Sequence, residues 1–124
     1  MSELRANTIS AANGTDPVTL TKQSAAKAWV NFNGTGTVEV RDSFNHSSLE
    51  DHGPANYSNT VSSAFNNANY VVTAMSQDTS VGDVISFDSG TAPTATAVKI
   101  YNFTTGNSVA DCARICLSYQ GDLA

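Results

Sequence analysis

Between Asp42 and His52 the chain gathers five side chains that bind protons and metals: Asp42, His46, Glu50, Asp51 and His52. Imidazole nitrogens and carboxylate oxygens are ligands of zinc and other divalent cations, and a histidine beside carboxylates titrates in mild acid. The spacing fits no zinc motif. A calcium loop would need carboxylates at alternating positions around a glycine bend, and the segment lacks that order. It reads as a solvated polar loop, and no metal is assigned to it. Cys112 and Cys116 stand four apart. On a helix they would share a face and form a redox or metal pair. On a strand they also share a face, but at about 3.3 Å per residue they lie roughly 13 Å apart, too far to bridge. They are expected to be free thiols, with Ala113, Ile115, Leu117 and Tyr119 on the opposite, core-facing side.

Nucleophilic catalysis finds no support. Serines abound, but no Gly-x-Ser-x-Gly elbow occurs, and the two histidines fall in one segment. Pairing of Glu39 and Asp83 by facing strands would give two carboxylates for glycoside cleavage, though nothing selects them. No glycine-rich phosphate loop joins a strand to a helix. The chain is therefore expected to be no enzyme, with no catalytic residue and no cofactor. Trp29, Tyr57, Tyr70, Tyr101 and Tyr119 have rings of the kind that stack on sugars, but core or interface packing is their ordinary use. Asn-x-Ser/Thr triplets at Asn13, Asn33, Asn45, Asn56 and Asn102 follow from composition.

The elements that position these residues are strands. Ser, Thr and Asn number 15, 14 and 12 of the 124 residues, while Lys and Glu number three each. Ser, Thr and Asn compete with the helical backbone for hydrogen bonds, and Thr and Val suit the pleated surface. Trp29–Phe32 reads as a strand, and Asn33-Gly34 as a hairpin turn. Thr37–Arg41 alternates, with Val38 and Val40 on one face. A short extended piece is expected near Ser47–Leu49. Tyr57, Asn59 and Val61 share a face of a strand within 56–65. Asn69–Met75 is apolar throughout and reads as a central strand. Val84–Phe87 is short. Within 96–104, Ala97, Lys99, Tyr101 and Phe103 oppose Val98, Ile100 and Asn102. Residues 109–119 give the last strand. Seven to eight short strands separated by turns predict an all-β, antiparallel, jelly-roll-like sandwich over residues 28–124. Residues 1–27 read as an N-terminal arm or linker. It has a turn at Asn13–Pro17, an alternating stretch at Pro17–Thr21, and one or two helical turns at Lys22–Ala28.

One domain is all that 124 residues allow. The formal net charge of −5 argues against a nucleic-acid partner, and no apolar run is long enough for a membrane span. No secretory signal is recognisable in the first thirty residues. Several strands have few charges even on their outward faces, which leaves surface that could pair with copies of the same chain.

The stretches Ser2–Ser10, Pro17–Leu20, Ala26–Thr37 and Arg41–Asn45, with Phe65-Asn66-Asn67-Ala68-Asn69-Tyr70, carry a resemblance. They resemble a family of small virion proteins of tailed phages that infect cyanobacteria and marine bacteria. In that family a β-domain occurs alone or as a distal module of tail fibres and tailspikes. Where the family often has a clean Asn-Gly turn followed by Asp-Tyr, this chain has Asp51-His52-Gly53-Pro54-Ala55-Asn56-Tyr57. The family motif contains no catalytic residues. The resemblance implies a homotrimeric sandwich on the outer capsid surface, assembled in the bacterial cytoplasm. Its role would be cement, or decoration, bound to the major capsid protein. The alternative is a short tail fibre or receptor-binding tip, and a non-viral alternative is a small secreted carbohydrate-binding sandwich. An arm of 27 residues spans at most roughly 90 Å, too little for a fibre shaft, which favours cement. On this reading Leu4, Ile9, Val18 and Leu20 dock the arm into the shell. Trp29, Phe32, Val38, Val40, Tyr70, Ile100, Ile115 and Leu117 pack the core or the trimer. Loops at 42–56 and 77–93 would be where a host-surface glycan could be touched.

Overall fold

The computed structural model describes residues 25–78 and 83–124. Eight strands run β1 (Ala28–Asn33), β2 (Glu39–Phe44), β3 (His46–Asp51), β4 (Asn56–Val61), β5 (Val71–Gln77), β6 (Val84–Phe87), β7 (Ala97–Phe103) and β8 (Arg114–Gln120). They form two four-stranded sheets, ordered β2-β1-β8-β5 and β3-β4-β7-β6, and every pairing is antiparallel. The expected all-β sandwich is what the chain forms. The arm side chains Leu4, Ile9, Val18 and Leu20 lie outside the described residues. So do residues 22–24 of the stretch Lys22–Ala28 read as helical turns; its described residues lead into β1 without a helix.

Alternation builds the core. Ala28, Val30 and Phe32 from β1 and Ile115, Leu117 and Tyr119 from β8 face Tyr57, Val61, Val98 and Ile100 from β4 and β7. The Phe32 and Tyr57 rings meet edge to face across the two sheets, with centroids 5.3 Å apart. Val38, Val40 and Tyr70 are half-buried against this cluster.

Residues 42–53 are not the loop that their polarity predicts. Most of them belong to β2 and β3, joined by a single residue, Asn45. Asn45 sits at φ 52°, a left-handed conformation that asparagine tolerates better than most residues. Its side chain donates to the carbonyls of Lys27 (3.1 Å) and Ser63 (3.2 Å), and accepts from the Ser63 amide (2.7 Å). This corner passes the chain from one sheet to the other. The stretch is polar because both strands are sheet edges, where few side chains face the core.

A second difference concerns β5, which is an edge strand and not a central one. β8 takes the central place, pairing Leu117 with both Val30 and Ala74. β5 is apolar on both faces, yet Val71 and Met75 stand exposed. The cysteines also part company. Cys112 precedes β8 and is buried, while Cys116 is half-buried within β8. Ala113, expected beside the core, is exposed.

Candidate functional site

The five proton- and metal-binding groups of 42–52 do not converge. Asp42 accepts from the Ser43 amide (2.8 Å) and Asp51 from the Gly53 amide (2.9 Å). His52 Nε2 lies 2.7 Å from Ser58 Oγ and 3.8 Å from Glu50 Oε2. Among the described residues, no three His, Cys, Asp or Glu side chains stand close enough to share a metal. His46 points its Nε2 into a buried position with no hydrogen-bond partner, and burial lowers its pKa below 6.5.

Two buried polar clusters involve residues of catalytic type, and both are committed internally. The Cys112 thiol donates to Asp83 Oδ2 (2.6 Å) and accepts from Asn102 Nδ2 (2.9 Å), which also donates to the Ala110 carbonyl (2.9 Å). Desolvation first, and then the Asp83 carboxylate, push the thiol up to about 12. It stays protonated and is no nucleophile at neutral pH. Asp83 is thereby spoken for, and Glu39 opens β2. The Tyr57 hydroxyl donates to the Gly34 carbonyl (2.7 Å) and lies 2.9 Å from Asp111 Oδ1, which also accepts from the Ala55 amide (2.6 Å). This cluster ties the first hairpin to β4 and to the segment before β8. Of the five rings considered for sugar stacking, Tyr57 and Tyr119 are buried, and Tyr70 stacks on Phe65 at 4.3 Å. Trp29 and Tyr101 remain half-exposed.

The outstanding surface is apolar. On the outer face of the first sheet, cross-strand pairing sets Phe44, Trp29, Ser118 and Thr73 in one row. Asp42, Asn31, Cys116 and Met75 form the next. Phe44 is 55 % exposed and Met75 73 %. Trp29, Asn31, Thr73, Met75, Cys116 and Ser118 line a shallow depression of about 420 Å³. The charges, Glu39, Arg41, Asp42 and Arg114, lie on β2 or at the end of β8. Arg41 is held there by the carbonyls of Phe32 (3.1 Å) and Ala113 (2.5 Å). The sheet therefore offers an uncharged centre with a polar border, the pattern of a surface that another protein covers. Trp29 takes part in this outer face; Phe32, Ile100, Ile115 and Leu117 lie in the core. The sequence signal for the face is its outward positions on β1, β5 and β8, where Trp, Met, Thr, Ser and Cys replace charges.

No family model matches the chain, and no curated protein and no solved structure matches it. The geometry defines a β-sandwich whose prominent feature is an apolar sheet face.

Proposed function

We propose that the chain is a non-enzymatic structural protein of a phage particle. It would assemble as a homotrimer on the outer capsid surface and cement the shell by binding the major capsid protein. The observation that carries this reading is the uncharged outer face formed by Trp29, Phe44, Thr73, Met75, Cys116 and Ser118. Fully burying a large apolar side chain contributes about 1.5–3 kcal/mol, so Phe44, 55 % exposed, and Met75, 73 % exposed, each have roughly half of that or more to gain from a partner. Three copies turning this face toward a common axis would cover it by closed symmetry. The resemblance to small virion proteins, strongest over residues 4–48 and 65–70, supports the particle, and the arm would supply contacts to the shell.

The test is copy number per particle, measured by quantitative mass spectrometry of purified virions against the major capsid protein. Hundreds of copies are expected. A few to a few tens would move the protein to a tail fibre or receptor-binding tip. Absence from particles would overturn the virion reading altogether.

A further inference from the structure

The two outer faces of the sandwich differ in chemistry. On the second sheet, period two turns Lys99, Tyr101 and Phe103 of β7 outward, while Val98, Ile100 and Asn102 are buried. Cross-strand pairing sets Ser86, Tyr101 and Asn56 in one row and Lys99, Ser58 and Glu50 in the next, and Val84 pairs with Phe103. The half-buried Tyr101 and Phe103 rings are neighbours, with centroids 5.7 Å apart and planes tilted by 35°. They form an aromatic strip. Among the described residues the Tyr101 hydroxyl has no hydrogen-bond partner.

The border of the strip is polar, and its charges are paired. Lys99 Nζ lies 3.3 Å from Asp88 Oδ2. The Asp88 amide also donates to the Lys99 carbonyl (2.9 Å), which carries the β6 pairing one residue further. On the other flank Glu50 Oε2 stands 3.8 Å from His52 Nε2, which meets the Ser58 hydroxyl at 2.7 Å. A phosphate or an acidic sugar therefore finds no free cation on this face among the described residues, and it would meet the carboxylates of Glu50 and Asp88.

We infer that the outer face of the second sheet binds a neutral carbohydrate along the Tyr101–Phe103 strip. A pyranose ring has an apolar face of C–H groups and a rim of hydroxyls. The strip supplies rings for the first, and Ser58, Ser86, His52 and the Lys99–Asp88 pair supply donors and acceptors for the second. Charge separates this occupant from a protein. A dry protein interface over the face would desolvate Lys99, Asp88 and Glu50, which costs free energy. Sugar hydroxyls hydrogen-bond such groups as water does. The first sheet offers the opposite case, an uncharged centre that a protein covers without that cost. The inference does not depend on the virion reading. If sister chains cover the first sheet, the carbohydrate face lies on the other side of the body and stays open.

The experiment applies the full chain to a printed array of neutral hexose, deoxyhexose and N-acetylhexosamine oligosaccharides, with sialylated and sulfated glycans beside them. Retention on neutral glycans is expected, and Tyr101→Ala and Phe103→Ala are each expected to weaken it at least tenfold. No retention on any neutral glycan, or retention on acidic glycans alone, would overturn the inference. So would parent-like retention of both variants. A second measurement needs no substitution. The retained oligosaccharide is titrated into isotope-labelled chain, and the backbone amide signals of residues 58, 86, 99, 101 and 103 are expected to shift. Shifts confined to other residues, such as those of the first sheet, would also overturn it.

Discussion

Gly34 is fixed by contact and not by backbone conformation. A Cβ at this position would stand 2.7 Å from the Tyr57 hydroxyl, 2.9 Å from Tyr57 Cζ and 3.0 Å from the Cys112 carbonyl. The Tyr57 ring is buried and its hydroxyl is bonded to Gly34 itself, so neither neighbour can yield freely. Gly34→Ala is expected to cost about 1–3 kcal/mol by overpacking, which lowers Tm by roughly 5–20 °C for a domain of this size. A thermal melt within a few degrees of the parent would refute this. His46 makes a pH prediction. Burial lowers its pKa, and its Nε2 has no partner. The unfolded chain takes up a proton near pH 6.5 while the folded chain resists, so stability present above 6.5 is lost as pH falls below it. Asp88, whose carboxylate is held low by the Gly90 amide, gives stability that is present above about 3.8 and lost only as pH falls below it, so it does not share that window. Denaturant midpoints at pH 7.5 and 5 should differ for the parent chain and converge in His46→Gln.

At the scale of the element, β8 carries the clearest division. Its inward side chains Ile115, Leu117 and Tyr119 are buried, while Cys116 opens on the apolar outer face. Cys112, just before it, is sealed under the Asp83 bond. In the proposed assembly neither thiol should react with a maleimide. In a Met75→Asp chain Cys116 alone should label, and in guanidinium both. Labelling of Cys116 in the intact parent assembly would contradict coverage of that face. Much of this architecture is legible in the residues. The alternation of β7 and the buried positions of β1 follow from period two, and the Asn33-Gly34 pair marks the first hairpin. β5 misleads because its hydrophobicity has two sources, a core face and an exposed face, and one chain offers no means of separating them. The Asn45 corner is concealed because the strands on either side are polar edges. The Cys112 cluster is invisible because Asp83, Asn102 and Cys112 are brought together only by the meeting of three distant segments.

At the scale of the whole molecule the test is assembly. Met75→Asp puts a carboxylate in the middle of the uncharged face, where covering it would strand a charge without a partner. Light scattering is expected to give a trimer for the parent and a monomer for the variant, with the thermal stability of the isolated sandwich little changed because Met75 is 73 % exposed. A trimer that survives the substitution would place the subunit contact elsewhere. The central place of β8 has a further consequence, for synthesis. β1 and β5 both need residues 114–120 between them, so the first sheet cannot close while that strand is still inside the ribosome. Contacts this distant in sequence make closure slow, and until then the nascent chain holds β5 without its partner strand and β1 paired on one side only, with β2. Chains cut short before Arg114 should be recognised as unfolded and degraded, so that only chains carrying β8 reach assembly.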